Sequence, residues 1–182
     1  MRKGLFVAVI LLFAVIIAFA VHAEGLKVAG KDIEQVQVYF SPRGGCTEAI
    51  VSTISQAKTE ILVQAYSFTS APIAKALVDA HKRGVHVQII LDRSQRKERY
   101  TSADFTAHAG IPTYIDAGHS IAHNKVMIID KGVVITGSFN FTKIAAGNNA
   151  ENLLVLQSKE LARGYIENWQ RHKEHSEVYK GR

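Results

Sequence analysis

The stretch His123-Asn124-Lys125-Val126-Met127-Ile128-Ile129-Asp130 decides how this sequence folds, because polar groups bracket a short apolar run. Residues 125–129 and 133–136 are both rich in β-branched and other apolar side chains, which is typical of strands. Asp130-Lys131-Gly132, between the two runs, is a tight-turn pattern. The two runs are therefore predicted to pair as a β-hairpin.

Four polar side chains occupy positions that this hairpin would bring together. Side chains two residues apart on a strand share a face, so His123 and Lys125 are expected to point the same way. Ser138 and Asn140, in Gly137-Ser138-Phe139-Asn140, are expected to do the same at the end of the second strand. Polar groups on otherwise apolar strands are costly unless they are hydrogen-bonded or used. These four are therefore candidate functional residues.

The chemistry of the four residues points to phosphate. A neutral imidazole such as that of His123 is a nucleophile or general base near neutral pH. An ammonium such as that of Lys125 holds a phosphate oxygen, and Ser and Asn side chains can donate hydrogen bonds to it. No Gly-rich phosphate loop, paired-aspartate site or histidine-cluster metal site is visible in the sequence. The pattern predicts attack on a phosphodiester with no cofactor and no metal.

The flanking sequence predicts an α/β domain. Besides the hairpin, strands are predicted at residues 35–40, 61–66, 85–91, 111–115 and 152–157. Helices are predicted at residues 46–57, 71–82, 103–109 and 159–175. Because strands and helices alternate in the first half, we expect a single domain with a mixed, largely parallel β-sheet flanked by helices on both faces.

Composition sets the outer limits. A chain of 182 residues with 47% hydrophobic and 21% charged residues suits one folded domain and argues against disorder. Its one cysteine, Cys46, excludes an internal disulfide and a thiolate zinc site. Cys46 begins a predicted helix, where burial is the simplest expectation for its thiol.

The first 23 residues are predicted to be an export signal rather than part of the fold. Arg2 and Lys3 precede an uncharged apolar run, and Val21-His22-Ala23 offers a small-residue cleavage site. The alternative is an uncleaved membrane anchor. Cleavage would leave a domain of residues 24–182, lower the formal net charge from +6 to +4, and place the protein in the periplasm or outside the cell.

The H-x-K-x4-D pattern of residues 123–130, followed by G-S-x-N at residues 137–140, resembles the signature of the phospholipase D superfamily. The resemblance runs from about residue 36 to residue 169, and it includes the segments at residues 61–69, 80–85 and 89–92. The sequence is most similar to the small, single-motif bacterial endonucleases of that superfamily, which are exported and nonspecific. The resemblance implies the phospholipase D fold.

The resemblance also implies roles for the motif residues. His123 corresponds to the nucleophile that forms a covalent phosphohistidine. Lys125 and Asn140 correspond to the phosphate-binding groups, and Ser138 to a supporting donor. The active site of the superfamily contains two such motifs, and this chain has one. The resemblance therefore implies a homodimer in which two copies of the motif meet at a shared site.

Two carboxylates complete the implied catalytic set. Glu151 corresponds to the carboxylate that orients the histidine in the family. Asp130 belongs to the motif, but its position at the end of a strand favours a structural hydrogen-bonding role over a chemical one.

Other charged residues are given weaker assignments. Arg93, Arg96 and Lys97 follow a buried strand, where open α/β sheets gather ligands, and they are either a track for nucleic acid or a solvated loop. His119 is expected to be a solvated loop residue. No role is assigned to the remaining histidines of the mature region, which are His81, His86, His108, His172 and His175.

The sequence thus predicts a metal-independent, dimeric endonuclease that acts on DNA, with RNA as a further candidate substrate. Two alternatives remain open at this stage. One is a phospholipid phosphodiesterase, held at a membrane if the apolar N-terminal segment is retained. The other is a nucleic-acid-binding module that keeps the fold without turnover.

Overall fold

The structure is a computed structural model that describes residues 28–182. The predicted signal or anchor at residues 1–23 lies outside the described residues. Within residues 28–182, no helix is both long enough and apolar enough to cross a membrane.

An eight-stranded sheet forms the centre of the domain. Its order is β1-β7-β6-β5-β2-β3-β4-β8. The strands are β1 (Gln35–Ser41), β2 (Glu60–Ala65), β3 (His86–Asp92), β4 (Thr113–Asp116), β5 (Lys125–Ile129), β6 (Val133–Gly137), β7 (Glu151–Gln157) and β8 (Glu177–Tyr179).

The sheet is mixed, as predicted, but its parallel part is smaller than expected. Only β2, β3 and β4 run parallel to one another, and the pairs β1–β7, β7–β6, β6–β5, β5–β2 and β4–β8 are antiparallel. The expectation came from the alternation of strands and helices, and this alternation leads to parallel pairing only for β2, β3 and β4. The strands after β4 pair antiparallel, as does β1 with β7.

Helices cover both faces of the sheet, in agreement with the prediction. The helices are α1 (Cys46–Gln56), α2 (Ala71–Lys82), α3 (Ala103–His108), α4 (Lys143–Gly147) and α5 (Lys159–Glu174). One face packs against α1 and α2 through fully buried residues such as Ile50, Ile54 and Leu77. The other face packs against α5, where the Trp169 indole is buried and donates a 2.9 Å hydrogen bond to the Val63 carbonyl oxygen.

Two short elements were not predicted. β8 has three residues and α4 has five, which is too few for either a two-residue or a 3.6-residue period to be recognised. β8 is held by its neighbours instead: it pairs with β4, and the Tyr179 hydroxyl donates to the Asp104 carboxylate at the start of α3.

Candidate active site

His123 lies immediately before β5, at the end of the sheet where β2 finishes. It is exposed, and the chain beside it is fixed because the Tyr66 N–H donates a 2.8 Å hydrogen bond to the Asn124 carbonyl oxygen. The centroids of the His123 and Tyr66 rings are 4.6 Å apart. The Lys125 Nζ lies 5.1 Å from the centre of the same Tyr66 ring. Tyr66 therefore contacts both His123 and Lys125.

Lys125 is the first residue of β5, and its side chain is buried. Nζ donates a 3.1 Å hydrogen bond to the His123 carbonyl oxygen, which leaves further N–H groups of the ammonium available to an anion. Burial lowers the pKa of Lys125, and the negative charge of Glu151 opposes that shift. Because the side chain is buried, the ammonium is poorly hydrated, and this strengthens its attraction to a phosphate oxygen.

Ser138 and Asn140 lie just beyond β6 rather than on it, because that strand ends at Gly137. Gly137 has a φ of 147°, and a Cβ atom there would lie 2.3 Å from the Asn152 carbonyl oxygen. That oxygen accepts backbone hydrogen bonds from Ser138 and Phe139 at 3.1 and 3.2 Å. Gly137 thus permits the close approach that turns Ser138 towards β7.

Ser138 joins the site through Glu151, the first residue of β7. The Ser138 Oγ donates a 2.6 Å hydrogen bond to the Glu151 carboxylate, and Asn149 Nδ2 donates another at 3.0 Å. These bonds and the charge of Lys125 keep the pKa of Glu151 below its usual value, against the effect of burial. Within residues 28–182, no hydrogen bond joins Glu151 to the His123 ring, so its contacts here orient Ser138.

Asn140 is held between two fully buried aromatic residues, Phe139 and Phe141. Its Oδ1 is buried, and it has no hydrogen-bond partner among the residues that the structure describes. Buried polar atoms are normally satisfied, so Oδ1 retains the capacity to accept a hydrogen bond, whereas a phosphate oxygen could be bound only by the Nδ2 group of the same amide, which donates.

Asp130 lies at the opposite end of β5, roughly 17 Å from Lys125 at about 3.4 Å per strand residue. Its carboxylate accepts hydrogen bonds of 2.8 to 3.0 Å from the backbone N–H groups of Lys58, Thr59 and Glu60. Burial raises the pKa of Asp130, but these bonds outweigh it and the net pKa is lowered. The structure therefore separates Asp130 from the other motif residues and gives it contacts that anchor the start of β2.

The three basic residues Arg93, Arg96 and Lys97 form a cluster next to Tyr66. A cavity of about 460 Å³ is lined by Tyr66, Arg93, Arg96, Lys97 and Ser120, among others. Arg93 is tied to the Ser120 carbonyl oxygen at 3.0 Å, and Arg96 pairs with Glu177. Because Tyr66 also contacts His123, the three basic residues lie beside the candidate site rather than on a remote loop.

Asp92, the last residue of β3, fixes the segment that leads to His123. Its buried carboxylate accepts 2.8 Å hydrogen bonds from the Ala122 and Ser94 N–H groups. Sequence reasoning did not identify Asp92 or Tyr66 as part of the site. Asp92 could be recognised as a polar residue at the carboxyl end of a buried strand. Its place beside the site, however, depends on the order of the strands in the sheet, which no local pattern indicates.

The structure also gathers four residues for which the sequence suggested no shared site. The Asp116 carboxylate is fully buried and accepts hydrogen bonds from His119, His172 and His175. Burial opposes ionisation, but these bonds lower the pKa of Asp116 to about 2. His119 is an exposed loop residue, as expected, with 48% of its side chain accessible, but its ring is also hydrogen-bonded to the buried Asp116 carboxylate.

Comparisons with known proteins give a consistent picture. Residues 50–173 match the family described as "Cardiolipin synthase, PLD-like domain". A protein named phospholipase D from Rickettsia conorii is 46% identical over 135 residues, which cover 74% of this chain and 68% of the relative.

Two solved structures are also similar. Nuc from Salmonella typhimurium, a phospholipase D family member, superposes with a TM-score of 0.78 at 41% identity, covering 81% of this chain and 99% of that one. NucT from Helicobacter pylori superposes with a TM-score of 0.73 at 26% identity, covering 80% and 99%.

Proposed function

Because this chain belongs to the phospholipase D superfamily and is a phosphodiesterase of that group, we propose that it is a nonspecific endonuclease that hydrolyses DNA without a metal. The observation that carries the proposal is the grouping of exposed His123, buried Lys125 and the Ser138–Glu151 pair at one end of the β5–β6 hairpin. RNA is a second candidate substrate of the same site.

The proposed reaction begins with the His123 imidazole. It attacks phosphorus, a P–N bond forms, and the P–O bond to the leaving oxygen breaks. Lys125 and Asn140 hold the non-bridging oxygens as negative charge builds on them. In the second step water attacks the phosphohistidine, the P–N bond breaks, and His123 is free again.

The proposed reaction needs a second proton-transfer group, and a second copy of the chain can supply it. His123 of the partner subunit protonates the leaving oxygen in the first step. It then takes the proton from the attacking water in the second step, so the proton balance closes over one cycle. This is the reason to propose a homodimer with one shared site.

An apolar stripe on β1, which the rest of residues 28–182 leaves exposed, supports the proposed dimer. Val36, Val38 and Phe40 alternate along one face of this edge strand and are 48%, 51% and 64% exposed. Phe40 lies opposite Asn152 in the register with β7, and the next pair is Ser41 with Glu151. The stripe therefore ends beside the candidate site, where a second copy would have to pack for two His123 rings to meet.

The basic residues favour a nucleic acid over a smaller phosphodiester. Arg93, Arg96 and Lys97 line the cavity next to Tyr66, so they can hold phosphates on either side of the one attacked. Such contacts position a backbone and carry no sequence information, which fits a nonspecific enzyme.

A phospholipid is a third candidate substrate, because the Rickettsia relative carries the name phospholipase D. Its headgroup phosphodiester would undergo the same two steps. In this case the apolar N-terminal segment would remain as an anchor.

The two substrates are separated by assaying the full-length chain on supercoiled plasmid and on phosphatidylcholine vesicles, each in excess EDTA. We expect plasmid nicking that persists in EDTA and exceeds lipid turnover. His123→Ala should abolish plasmid nicking. His86→Ala should not, because His86 is the first residue of β3 and lies at the end of that strand away from the candidate site. A radiolabelled phosphohistidine should be trapped on acid-free quenching of the wild type. Tight DNA binding without this adduct would instead indicate a silent binding module.

A further inference from the structure

We propose that Asp116, His119, His172 and His175 form a binding site for a divalent transition-metal ion, with Zn²⁺ as the best fit. This site is separate from the phosphodiester chemistry. It would join the segment that precedes His123 to the end of α5.

The four side chains converge from two parts of the fold. Asp116 is the last residue of β4, and His119 follows it in the connection to β5. His172 lies in the last turn of α5 and His175 directly after the helix, so they are three positions apart and face the same side. The candidate ligand atoms, one from each residue, all lie within 4.8 Å of one another.

The distances from the Asp116 carboxylate to the three imidazoles are close to those between neighbouring ligands of a tetrahedral site. The ring nitrogens of His172, His119 and His175 lie 2.7, 3.1 and 3.2 Å from oxygens of Asp116. Ligands bonded to Zn²⁺ at about 2.0–2.1 Å are separated by about 3.3–3.4 Å in a tetrahedron. Small side-chain rotations would therefore convert this hydrogen-bonded group into a coordination shell.

The kinds of donor select the class of ion. Three imidazoles and one carboxylate suit Zn²⁺, Cu²⁺ or Ni²⁺, whereas Ca²⁺ and Mg²⁺ prefer oxygen ligands throughout. Burial of Asp116 and partial burial of His172, which is 17% exposed, remove water from one side of the group. The more exposed His119 and His175 leave a route for an ion to enter.

Gly118 provides the room in which the group assembles. A Cβ atom at this position would lie 2.9 Å from a carbon of the His175 ring and 3.4 Å from its Nε2. The Gly118 N–H also donates a 3.0 Å hydrogen bond to Asp116 Oδ1, which orients the carboxylate. A side chain here would push His175 away from the other three residues.

Four protein ligands would saturate a tetrahedral ion, so the site would be structural rather than catalytic. Residues 117–122 form the segment between Asp116 and His123. Asp92 already holds the end of that segment through Ala122, and the ion would hold its start. Ser120, within the segment, lines the cavity beside Arg93, so metal binding would fix one wall of the substrate cleft.

The proposal is tested by titrating Zn²⁺ calorimetrically into the tag-free, full-length chain after chelator stripping. We expect saturation at about one ion per chain. Co²⁺ should give the intense visible absorption of a tetrahedral complex, and Zn²⁺ should remove it. His172→Ala/His175→Ala should lose both signals, while His86→Ala/His108→Ala, which changes two other histidines, should keep them.

A second variant guards against a folding defect. His119→Ala alters only a loop side chain that is 48% exposed, and it should weaken Zn²⁺ binding at least tenfold while far-ultraviolet circular dichroism stays unchanged. Saturable binding that the double and single variants leave intact would overturn the proposal, as would no saturable binding by the wild type. DNA nicking is measured separately, in EDTA. The outcome of the metal titration therefore neither supports nor contradicts the proposed nuclease activity.

Discussion

The Ser138 Oγ donates a 2.6 Å hydrogen bond to the Glu151 carboxylate, and this bond connects the turn after β6 to the first residue of β7. The same Oγ accepts a 3.1 Å hydrogen bond from the Asn152 N–H. Ser138 is therefore fixed from two sides, and Glu151 lies close enough to Lys125 for its charge to oppose the lowering of the lysine pKa. The turn and the buried cation are parts of one polar network.

Gly137→Ala should disrupt this network by displacing the turn that carries Ser138. Its Cβ would lie 2.3 Å from the Asn152 carbonyl oxygen, so the turn must move and Ser138 must move with it. We expect a loss of stability of about 1–3 kcal/mol and a larger proportional loss of phosphodiesterase activity. Thermal unfolding and plasmid nicking measure the two effects. Gly147→Ala is the matched control, because a Cβ added at Gly147 would meet no atom within 4 Å outside its own helix and its chain neighbours. Equal activity in the two variants would contradict this account.

Asp130→Ala should destabilise the fold without removing the chemistry. It deletes the acceptor of three backbone N–H groups at the start of β2, which we expect to cost about 1–3 kcal/mol. Phosphohistidine formation per folded chain should be close to that of the wild type. Urea unfolding at neutral pH, combined with the trapping assay, checks this. Loss of the adduct in folded Asp130→Ala protein would show a catalytic role instead.

The pH dependence of the same effect has a definite sign. The pKa of Asp130 is lowered on folding, so its ionised form stabilises the native state above its unfolded pKa of about 3.8. That contribution is lost as pH falls from about 4 through the lower, folded pKa. The difference in unfolding free energy between wild type and Asp130→Ala should therefore be constant from pH 5 to 7 and should shrink below pH 4. A difference that grows on acidification would refute the assignment.

The proposed dimer predicts a dominant effect of inactive subunits. Each shared site needs His123 from both copies. After exchange of subunits, excess His123→Ala protein should therefore reduce the plasmid-nicking rate well below the rate expected if the wild-type protein were only diluted.

Val38→Asp should convert the dimer into monomers in sedimentation velocity, because it places a charge within the apolar stripe. Gln37→Asp lies on the same strand but faces the other side, and it should remain dimeric. A fully active wild-type monomer would exclude the shared site.

The proposed nucleic-acid track predicts a change in salt dependence. Arg93→Gln/Lys97→Gln removes two of the charges beside Tyr66. If both contact phosphates, the slope of log affinity against log salt should fall by about 2 in magnitude for duplex DNA. Lys58→Gln/Lys82→Gln changes the net charge equally at exposed positions away from the cavity, and its slope should match the wild type. Identical slopes for both double variants would remove these residues from the binding surface.

Local sequence patterns were sufficient for the hairpin and for most of the elements around it. Asp130-Lys131-Gly132 was predicted as the turn, and in the structure Asp130 and Lys131 have φ values of 50° and 55°. Ser138 and Asn140 were predicted close to their true positions, at the end of β6. These features depend on residues a few positions apart, where turn chemistry and strand periodicity operate.

Features that depend on distant pairings could not be predicted in the same way. Tyr66 reaches His123 because β2 lies antiparallel to β5, and no local pattern in either strand encodes that neighbour. The group around Asp116 joins residues up to 59 positions apart, and it required the end of α5 to be placed beside β4. His172 and His175 are three positions apart, but no local pattern links them to Asp116, which lies 56 positions before His172.

Trp169 is the only tryptophan in the chain, and it lies three residues before His172 on α5. Its indole is anchored to the Val63 carbonyl oxygen, so its emission will report whether the helix remains seated on the sheet. Along the helix axis, at about 1.5 Å per residue, about 4.5 Å separates it from His172 and about 9 Å from His175. A Cu²⁺ ion bound at the proposed site would quench this nearby indole, so the emission of Trp169 would then report both helix docking and ion occupancy without an added label.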